Sequence, residues 1–412
     1  MNRKKIILPC LFIAGLFIYT GYKVSKLSER IQRIEDKLGG TKNILCNQKD
    51  TVERVRKSVV RIVGGHGEGS GFAVKRGGFI LTNFHVIADE LAPKVILPDN
   101  TFETAQVIMA DKIADLAILK IEKDIPTLNF ARLNWVTPAE EVMAIGYPLG
   151  GGLDGESFIT RGAISRFVFD KENNLKYILT DMTLINGVSG GPMVNICGEA
   201  VGIACAGLPP GGMGVAISSD SIFERVVKMF ASENPLKDVK KITFNPDKNP
   251  LEAVRSFYNY LKLRSMENAF GLLSDNFIKG FSFEDWLKGY ESMLDTNIVL
   301  IKPDKKIADR IHVKLSTKDL VDEKIVYKYF EGLWDVRKEQ GRWLLWRPKI
   351  KEVKDPEQTW FLDIEMIGGI EKFLKERKDF VEDIGLAMYE LWIEPGNEYL
   401  SLEELYRRAK GN

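Results

Sequence analysis

The most informative segment of this chain is Ile185-Asn186-Gly187-Val188-Ser189-Gly190-Gly191-Pro192, in which one serine stands among glycines before a proline. A serine on such a tight turn presents its hydroxyl, and the neighbouring backbone amides are not obstructed by side chains. A nucleophile beside an oxyanion hole requires both features. A glycine-rich surface turn between two strands would give the same pattern, so the rest of the chain has to distinguish the two interpretations.

Short apolar runs broken by glycines and turns extend from Ser58 to Ile217, on both sides of this stretch. Many short strands at regular spacing, with no long helix between them, are typical of a closed all-β sandwich or barrel. The predicted strands are Val59–Val63, Gly71–Val74, Phe79–Thr82, Lys94–Leu97, Thr104–Met109, Leu116–Ile121, Val142–Ile145, Phe158–Ser165, Lys176–Leu179, Met193–Ile196 and Ala200–Ala206.

Two further residues of this region have the context of catalytic groups. His85 follows the apolar strand Phe79–Thr82, and Asp115 begins an apolar strand, so we expect its carboxylate at the edge of the core. The other two histidines are His66, in a glycine-rich loop, and His312, in a different domain. Each residue alone more often has a structural role, but the order His, Asp, Ser is that of a chymotrypsin-like triad.

Several motifs in this order resemble the HtrA/DegP-type trypsin-like serine proteases, from about Val52 to Phe230. The resemblance implies a double β-barrel with the active site in the cleft between the barrels. It implies Ser189 as nucleophile, His85 as general base and then acid, and Asp115 as the group that orients the imidazole. The backbone amides of Gly187 and Ser189 would form the oxyanion hole, and neither a metal nor an organic cofactor is needed. The motifs are Gly69-Ser70-Gly71-Phe72, Leu81-Thr82-Asn83-Phe84-His85-Val86, Asp115-Leu116-Ala117-Ile118-Leu119-Lys120-Ile121, Ala144-Ile145-Gly146-Tyr147-Pro148 and the serine stretch.

The same resemblance places substrate-binding residues after the nucleophile. Ile203, Ala204, Cys205 and Ala206 correspond to the edge strand that pairs with the substrate backbone, and Leu184 to the wall of the S1 pocket. These small and apolar residues predict a small aliphatic P1 side chain such as Val or Ala. No acidic residue is expected at the pocket base, which argues against a preference for Lys or Arg. Cys205 would make the cleft sensitive to thiol reagents, although a packed small residue is the favoured interpretation.

Two residues of the serine stretch depart from the family pattern. Val188 stands where Asn or Asp is usual, and Asn186 stands where Pro is common. Neither departure removes a catalytic group, but both are expected to alter how readily the loop orders. Because Val188 cannot make the polar contacts of an Asn, the oxyanion loop is expected to need substrate or a partner to set it. Asn43–Lys57 lacks the aromatic residues that family trimers use for packing, which gives the seam Val24–Leu38 a larger part in any homo-oligomer.

The N-terminus has the pattern of a membrane anchor in residues 1–22. Arg3-Lys4-Lys5 precedes the apolar run Ile6–Tyr22, which is at the lower limit of a bilayer span. A cleaved signal peptide is the alternative, but no Ala-x-Ala-like site follows. In residues 23–48, Val24–Leu38 has a heptad seam that fits either a short coiled coil or a solvated helical stalk. The expected location is the cell membrane, with a single span and the bulk of the chain on the extracytoplasmic side.

Charge and cysteine content exclude some classes of protein. Lys plus Arg number 58 and Asp plus Glu number 57, so the net charge of +1 gives no electrostatic reason to expect a nucleic-acid partner. The four cysteines are too few for a disulfide scaffold and have no zinc-site spacing. Cys197 and Cys205 are expected to be free thiols, because they lie out of register on one short hairpin.

The chain beyond the protease domain (residues 49–233) and a linker (234–249) changes character. Residues 250–355 read as helices Leu251–Arg264, Met266–Phe277 and Phe283–Met293, and then as strands Ile311–Leu315, Lys324–Val336 and Arg342–Val353. Helices followed by an antiparallel sheet predict an α+β domain. No carboxylate-binding loop of a PDZ domain is present. The helical tail, 356–412, has a capping box at Ser401 and Glu404 before its last helix.

Three segments of this α+β domain resemble the cone-shaped domains of the nuclear-transport-factor-two-like family. They are Ala253-Val254-Arg255-Ser256-Phe257-Tyr258, Ala269-Phe270-Gly271-Leu272-Leu273-Ser274 and Gly332-Leu333-Trp334-Asp335-Val336. Such domains bind small molecules, pair with one another or serve as accessory modules. Trp334, Trp343 and Trp346 would line a pocket or, as is commoner for tryptophans on strands, belong to the core.

Two functions are compatible with the sequence. The first is a membrane-anchored extracytoplasmic serine endopeptidase that hydrolyses unfolded or damaged proteins through an acyl-enzyme. The second is a non-proteolytic binding or sensor protein, in which the barrel holds a partner and the cone domain reads a ligand or dimerises. The presence of His85, Asp115 and Ser189 together favours the first, because a scaffold has no need of all three.

Overall fold

The computed structural model describes residues 26, 46–64, 67–87, 90, 92–131, 136–148, 156–205, 213–230, 232, 234–237, 239, 241–376, 382–393 and 402–411. Several predictions concern residues outside these ranges: the anchor Ile6–Tyr22, the seam Val24–Leu38 apart from Lys26, His66, Ala206 and Ser401. Among the residues that are described, no helix has both the length and the apolar character needed to cross a bilayer.

The first half of the barrel region is a seven-stranded antiparallel sheet in the order β5-β4-β1-β2-β3-β7-β6. The predicted strand Thr104–Met109 is divided in two, because the chain changes its partner there: Thr104 pairs with Lys94, and Gln106 pairs with Lys120. The strands are β1 (Val59–Val63), β2 (Glu68–Lys75), β3 (Phe79–Thr82), β4 (Lys94–Ile96), β5 (Phe102–Thr104), β6 (Gln106–Asp111) and β7 (Leu116–Lys120).

The second half is a closed antiparallel barrel in the order β10-β13-β12-β11-β8-β9. Its last strand, β13, is absent from the sequence-based prediction although its residues are all buried. The all-β barrel architecture expected for this region is therefore confirmed. The helix Ser219–Phe230 follows β13. The strands are β8 (Glu141–Gly146), β9 (Phe158–Asp170), β10 (Leu175–Thr180), β11 (Pro192–Asn195), β12 (Ala200–Ala204) and β13 (Gly214–Ser218).

A disulfide joins Cys46 to Cys197, with their Cα atoms 5.2 Å apart, so the prediction that Cys197 is a free thiol is wrong. Cys46 precedes the helix Gln48–Arg56, which lies against the β11–β12 turn, and Arg54 donates to the carbonyl of Cys197 (2.6 Å). The prediction considered only a Cys197–Cys205 bridge within one hairpin, whereas the actual partner of Cys197 is 151 residues away in the sequence. Cys205 is free, as predicted.

Beyond the barrels, helices pack on one face of a four-stranded antiparallel sheet in the order β14-β15-β16-β17. The strands are β14 (Met293–Pro303), β15 (Arg310–Val321), β16 (Lys324–Glu339) and β17 (Arg342–Val353). The helices are Pro250–Lys262, Met266–Phe270, Asp275–Ile278 and Phe283–Lys288. Helices before an antiparallel sheet are the predicted α+β arrangement.

Two helix boundaries in this domain differ from the prediction. The predicted helix Met266–Phe277 is divided, because Gly271 caps its first part and the Ser274 side chain caps the second by accepting from Phe277 N–H. The helix predicted to reach Met293 ends at Lys288, with Gly289 as its C-cap. Met293 instead begins β14, a strand that the sequence analysis does not predict.

Of the tryptophans of the sheet, Trp334 belongs to the core and also lines a cavity. Trp334 is buried and donates from Nε1 to the hydroxyl of Tyr258 (2.8 Å), as expected for a core residue. Trp343 packs against the same apolar cluster, and the guanidinium of Arg337 lies over the ring of Trp346 (3.4 Å to the centroid). The predicted helical tail forms Ile364–Glu376, Glu382–Ile393 and Leu402–Gly411.

Candidate active site

His85 lies on a single helical turn, Phe84–Ile87, directly after β3, and its position is fixed by Asp115. One carboxylate oxygen of Asp115 accepts from the backbone N–H of His85 (2.9 Å), and the other lies 2.8 Å from the ring Nδ1. The Asn83 side chain donates to the backbone carbonyl of Asp115 (2.8 Å). With Nδ1–H directed to the carboxylate, the lone pair of a neutral imidazole is on Nε2, the nitrogen that a general base uses.

Asp115 reaches His85 by adopting an uncommon backbone conformation. Its φ of 52° lies in the left-handed region, which is uncommon outside glycine although Asp is one of the residues enriched there. The turn before it is closed by Asp111, whose carboxylate accepts from the N–H of Ala114 (2.9 Å). The predicted position of the Asp115 carboxylate at the edge of the core agrees with a side chain that is about one third exposed (32%).

The turn that carries Ser189 requires glycine at two positions. Gly187 and Gly190 have φ values of 95° and 85°, and a Cβ on Gly190 would lie 2.1 Å from the carbonyl oxygen of Ser70. The N–H groups of Val188, Gly190 and Gly191 are taken up by hydrogen bonds within the barrel.

The two amides predicted to form the oxyanion hole are differently placed from these neighbours. Neither Gly187 N–H nor Ser189 N–H donates to any other residue that the structure describes. Free amide donors beside a serine are what stabilisation of a tetrahedral oxyanion requires. The turn therefore leaves two amide donors unused next to the serine among the described residues.

Val188, the departure from the family pattern, is fully buried. It belongs to the apolar cluster of the second barrel, which includes Val142, Ile164 and Met193. The side chain therefore anchors the serine loop by apolar packing where an Asn would use polar contacts. Whether the loop needs substrate to order stays a prediction.

The predicted substrate-binding residues have different positions. Ile203 and Ala204 lie on β12, which is paired with β11 on one side and β13 on the other, so the prediction that these two form an edge is wrong. The sequence-based prediction lacks β13, and this strand pairs with the side of β12 that was expected to be an edge. Leu184 is buried, and Cys205 lies just beyond the end of β12.

Cys205 lies next to the histidine–aspartate pair. Its sulfur is 3.8 Å from Nδ2 of Asn83, the side chain that also bonds to the Asp115 carbonyl. Burial, together with the negative charge of Asp115, raises the pKa of the Cys205 thiol to about 12. Because the thiolate is the reactive form, this cysteine is a packed residue and a poor nucleophile.

Ser70 is a residue of the site to which the sequence analysis assigns no role. Its hydroxyl donates to the carbonyl of Gly187 (2.7 Å) and accepts from the N–H of Tyr147 (2.7 Å). Its own N–H donates to the carbonyl of Ser189 (2.8 Å). The signal available in the sequence was a serine between two glycines, in the motif Gly69–Phe72.

No group of three or more His, Cys, Asp or Glu side chains is arranged to hold a metal in the part of the chain that the structure describes.

The chemistry that His85, Asp115 and the serine turn can perform is acyl transfer. They offer a hydroxyl nucleophile, an imidazole whose tautomer is set by a carboxylate, and free amide donors.

Residues 69–203 match the family model of the trypsin-like peptidase domain. The chain is 41% identical over 138 residues to "Probable periplasmic serine endoprotease DegP-like" of Hahella chejuensis, covering 33% of this chain and 29% of that protein. It is 36% identical over 194 residues to "Serine protease HTRA2, mitochondrial" of Bos taurus (42% and 41% covered). It is 36% identical over 162 residues to "Serine protease HTRA1" of Xenopus laevis (37% and 34%). The matches span less than half the length of each relative.

Proposed function

We propose that the HtrA-type trypsin-like serine protease domain of this chain is an active endopeptidase. The observation that carries the proposal is the contact of His85 Nδ1 with the Asp115 carboxylate (2.8 Å), in a chain whose only Gly-x-Ser-Gly-Gly-Pro turn holds Ser189. A non-proteolytic binding protein would have no use for a histidine held in one tautomer. The alternative function is therefore disfavoured.

The reaction follows from the groups at the site. Ser189 Oγ attacks the carbonyl carbon of the scissile peptide bond while His85 Nε2 takes the hydroxyl proton. The resulting oxyanion is stabilised by the N–H groups of Gly187 and Ser189. The tetrahedral intermediate collapses when the imidazolium gives its proton to the leaving amine, which leaves an acyl-enzyme. Water, activated by the same imidazole, then releases the second product and restores the serine hydroxyl.

Labelling with a fluorophosphonate tests this function directly, because the probe forms a covalent bond only with an activated serine. We expect wild-type protein to be labelled at Ser189, and the His85→Ala variant to be labelled at least about 100-fold more slowly. Ser316→Ala, which removes a serine from the distant strand β15, is the matched control and should label like wild type. Folded wild-type protein that remains unlabelled with a peptide substrate present would contradict the proposal.

An extracytoplasmic location, with an N-terminal membrane anchor, is supported by three observations. The apolar run Ile6–Tyr22 follows Arg3-Lys4-Lys5. The Cys46–Cys197 disulfide is of a kind that persists in oxidising compartments. One relative is named a periplasmic endoprotease. Protease added outside cells with a permeabilised outer layer should degrade the chain, and protection from it would contradict this location.

The substrates proposed are unfolded or damaged polypeptides with a small aliphatic P1 residue. Leu184 is buried beside the serine turn, and no acidic side chain is expected at the base of the pocket. Peptides that differ only at P1 test the proposal. Cleavage after Lys or Arg in preference to Val or Ala would contradict it.

The domain of residues 250–355 is proposed to be a nuclear-transport-factor-two-like module in place of a PDZ domain. The support is its order of helices before a four-stranded antiparallel sheet. The absence of a carboxylate-binding loop predicts that peptides with a free C-terminus do not bind it. Saturable binding of such a peptide to this domain would contradict the assignment.

A further inference from the structure

The C-terminal sheet is packed against the first barrel sheet over an apolar contact. Val63 and Ile96, on β1 and β4, share a buried cluster with Leu294 on β14. Leu320 on β15 is one of the partly buried side chains that pack around them. The sheet therefore covers the barrel on the side of β1 and β4.

Buried charged residues of the barrel and of the C-terminal domain also interact at this contact. Lys94 of the barrel is fully buried and donates to the backbone carbonyl of Lys262 (2.8 Å). The ammonium group of Lys262 in turn bonds to Asp295 on β14 (2.9 Å) and lies 3.3 Å from Glu90. Because a buried charge left without its partner is strongly unfavourable, these pairs hold the two parts of the chain in one arrangement.

A second set of charged groups is centred on Glu68, the first residue of β2. Lys318 on β15 lies 3.0 Å from the Glu68 carboxylate and donates to the carbonyl of Gly64 (3.0 Å). The hydroxyl of Tyr327 on β16 donates to the same carboxylate, and Arg61 is 3.4 Å from its other oxygen. The side chains of Lys318 and Glu68 are only 7% and 8% exposed, so solvent screens this contact little.

The residues on both sides of Glu68 lie close to the backbones of His85 and Ser189. A Cβ on Gly67 would lie 2.7 Å from the carbonyl oxygen of His85, and one on Gly69 would lie 2.8 Å from that of Ser189. The next residue, Ser70, bonds to the carbonyls of Ser189 and Gly187. Residues 67–70 therefore run from the C-terminal sheet to the backbones that carry both the general base and the nucleophile.

We infer that Lys318 and Tyr327 are positioning residues for proteolysis: by fixing Glu68, they hold the backbones of His85 and Ser189 in register. This inference rests on the proposed function. Loss of the Lys318 ammonium lets residues 67–70 shift, and small displacements of reacting groups lower the rate of the chemical step. Neither Lys318 nor Tyr327 is among the predicted substrate-binding residues, so we expect kcat to fall while KM stays nearly constant.

The test compares full-length Lys318→Met with wild type in kcat, KM and rate of fluorophosphonate labelling. We expect kcat and the labelling rate to fall about tenfold, with KM within about twofold. Lys318→Arg should recover part of the loss, because a guanidinium can still reach Glu68. Lys351→Met is the matched control, since Lys351 pairs with Glu331 (3.1 Å) elsewhere on the same sheet, and its kinetics should be those of wild type.

The melting temperature of each variant separates positioning from a loss of stability. A Lys318→Met variant that melts early but has wild-type kcat at low temperature would overturn the inference, as would a rise in KM alone. If this variant does not fold, Tyr327→Phe, which removes only the hydroxyl, should still lower kcat measurably, and a wild-type kcat would overturn the inference. An inactive, unlabelled wild type would instead reject the proposed function, and the inference with it.

Discussion

At the scale of single residues, the site depends on how one carboxylate is shared. Asp115 accepts from both the backbone N–H and the ring Nδ1 of His85, so it fixes the position and the tautomer of the imidazole together. Its left-handed backbone is what brings both oxygens within reach. The sequence motif predicts that Asp115 faces His85, but this second contact, to the backbone, has no signature in the sequence.

The first prediction follows from that shared carboxylate. In Asp115→Asn the side-chain amide can donate to Nδ1, which moves the proton to Nε2 and removes the general base. We expect kcat to fall roughly 10⁴-fold at neutral pH. Asp124→Asn is the control, because Asp124 also accepts a backbone N–H (from Gly77, 3.0 Å) but lies outside the site. An Asp115→Asn enzyme within tenfold of wild type would show that another group orients His85.

At the scale of secondary structure elements, the N-terminal helix Gln48–Arg56 is fixed to the second barrel by a covalent bond. Cys46 and Cys197 are separated by 151 residues, and the bond between them restricts the unfolded chain over that whole length.

The strands are predictable where apolar runs are bounded by turns, as in β1 and β3. Strand β14 is not, because Asp295 and Thr296 interrupt its apolar pattern and yet are buried.

The second prediction concerns this disulfide. Cys46→Ala should lower the free energy of unfolding by about 5 kcal/mol under oxidising conditions, from the loop entropy of the chain it closes. Under reducing conditions the variant and the wild type should unfold at nearly the same denaturant concentration. Cys205→Ala is the control, because it removes a free thiol and keeps the Cys46–Cys197 bond, so the reductant should lower its stability as much as that of wild type. Equal stability of Cys46→Ala and wild type under oxidising conditions would contradict the prediction.

At the scale of the whole molecule, the C-terminal sheet and the first barrel sheet share a buried set of charges. Burial lowers the pKa of Lys94 to about 8, although Asp295 and Glu90 act in the opposite direction. Burial and the Asp295 charge raise the pKa of Glu90. This contact could not be predicted, because Lys318 and Gly64, for example, are 254 residues apart and neither lies in a motif. What the motifs do predict is the barrel fold and the identity of the candidate catalytic residues.

The third prediction is that Lys94 makes a contribution to stability that rises at alkaline pH. Lys94 has a pKa of about 8 in the folded state and of about 10.5 in the unfolded chain. Between these pH values the unfolded chain binds the proton and the folded state does not, so a rise in pH favours the folded state. From pH 8 to 10 the Lys94 contribution to the free energy of unfolding should rise by roughly 2 kcal/mol. Lys94→Met should lack this rise, whereas Lys120→Met, on β7, should keep it.

Urea unfolding of the three proteins at several pH values measures that difference. Burial raises the pKa of the Cys205 thiol and of five tyrosine hydroxyls, so these groups act against the rise at alkaline pH. They are present in all three proteins, so their effect cancels in the comparison. Parallel pH profiles for wild type and Lys94→Met would contradict the buried position of the Lys94 ammonium.

The role of Ser189 as nucleophile is tested most directly by the rates at which wild type and Ser189→Ala cleave a denatured protein substrate. Ser189 is a small side chain on a turn held by glycines, so removing its hydroxyl should leave the melting temperature nearly unchanged. Wild type and the Ser316→Ala control should cleave the substrate, and the cleavage rate of Ser189→Ala should be lower by at least about 10⁴-fold. Cleavage by purified Ser189→Ala at a rate close to wild type would contradict the assignment of Ser189 as the nucleophile.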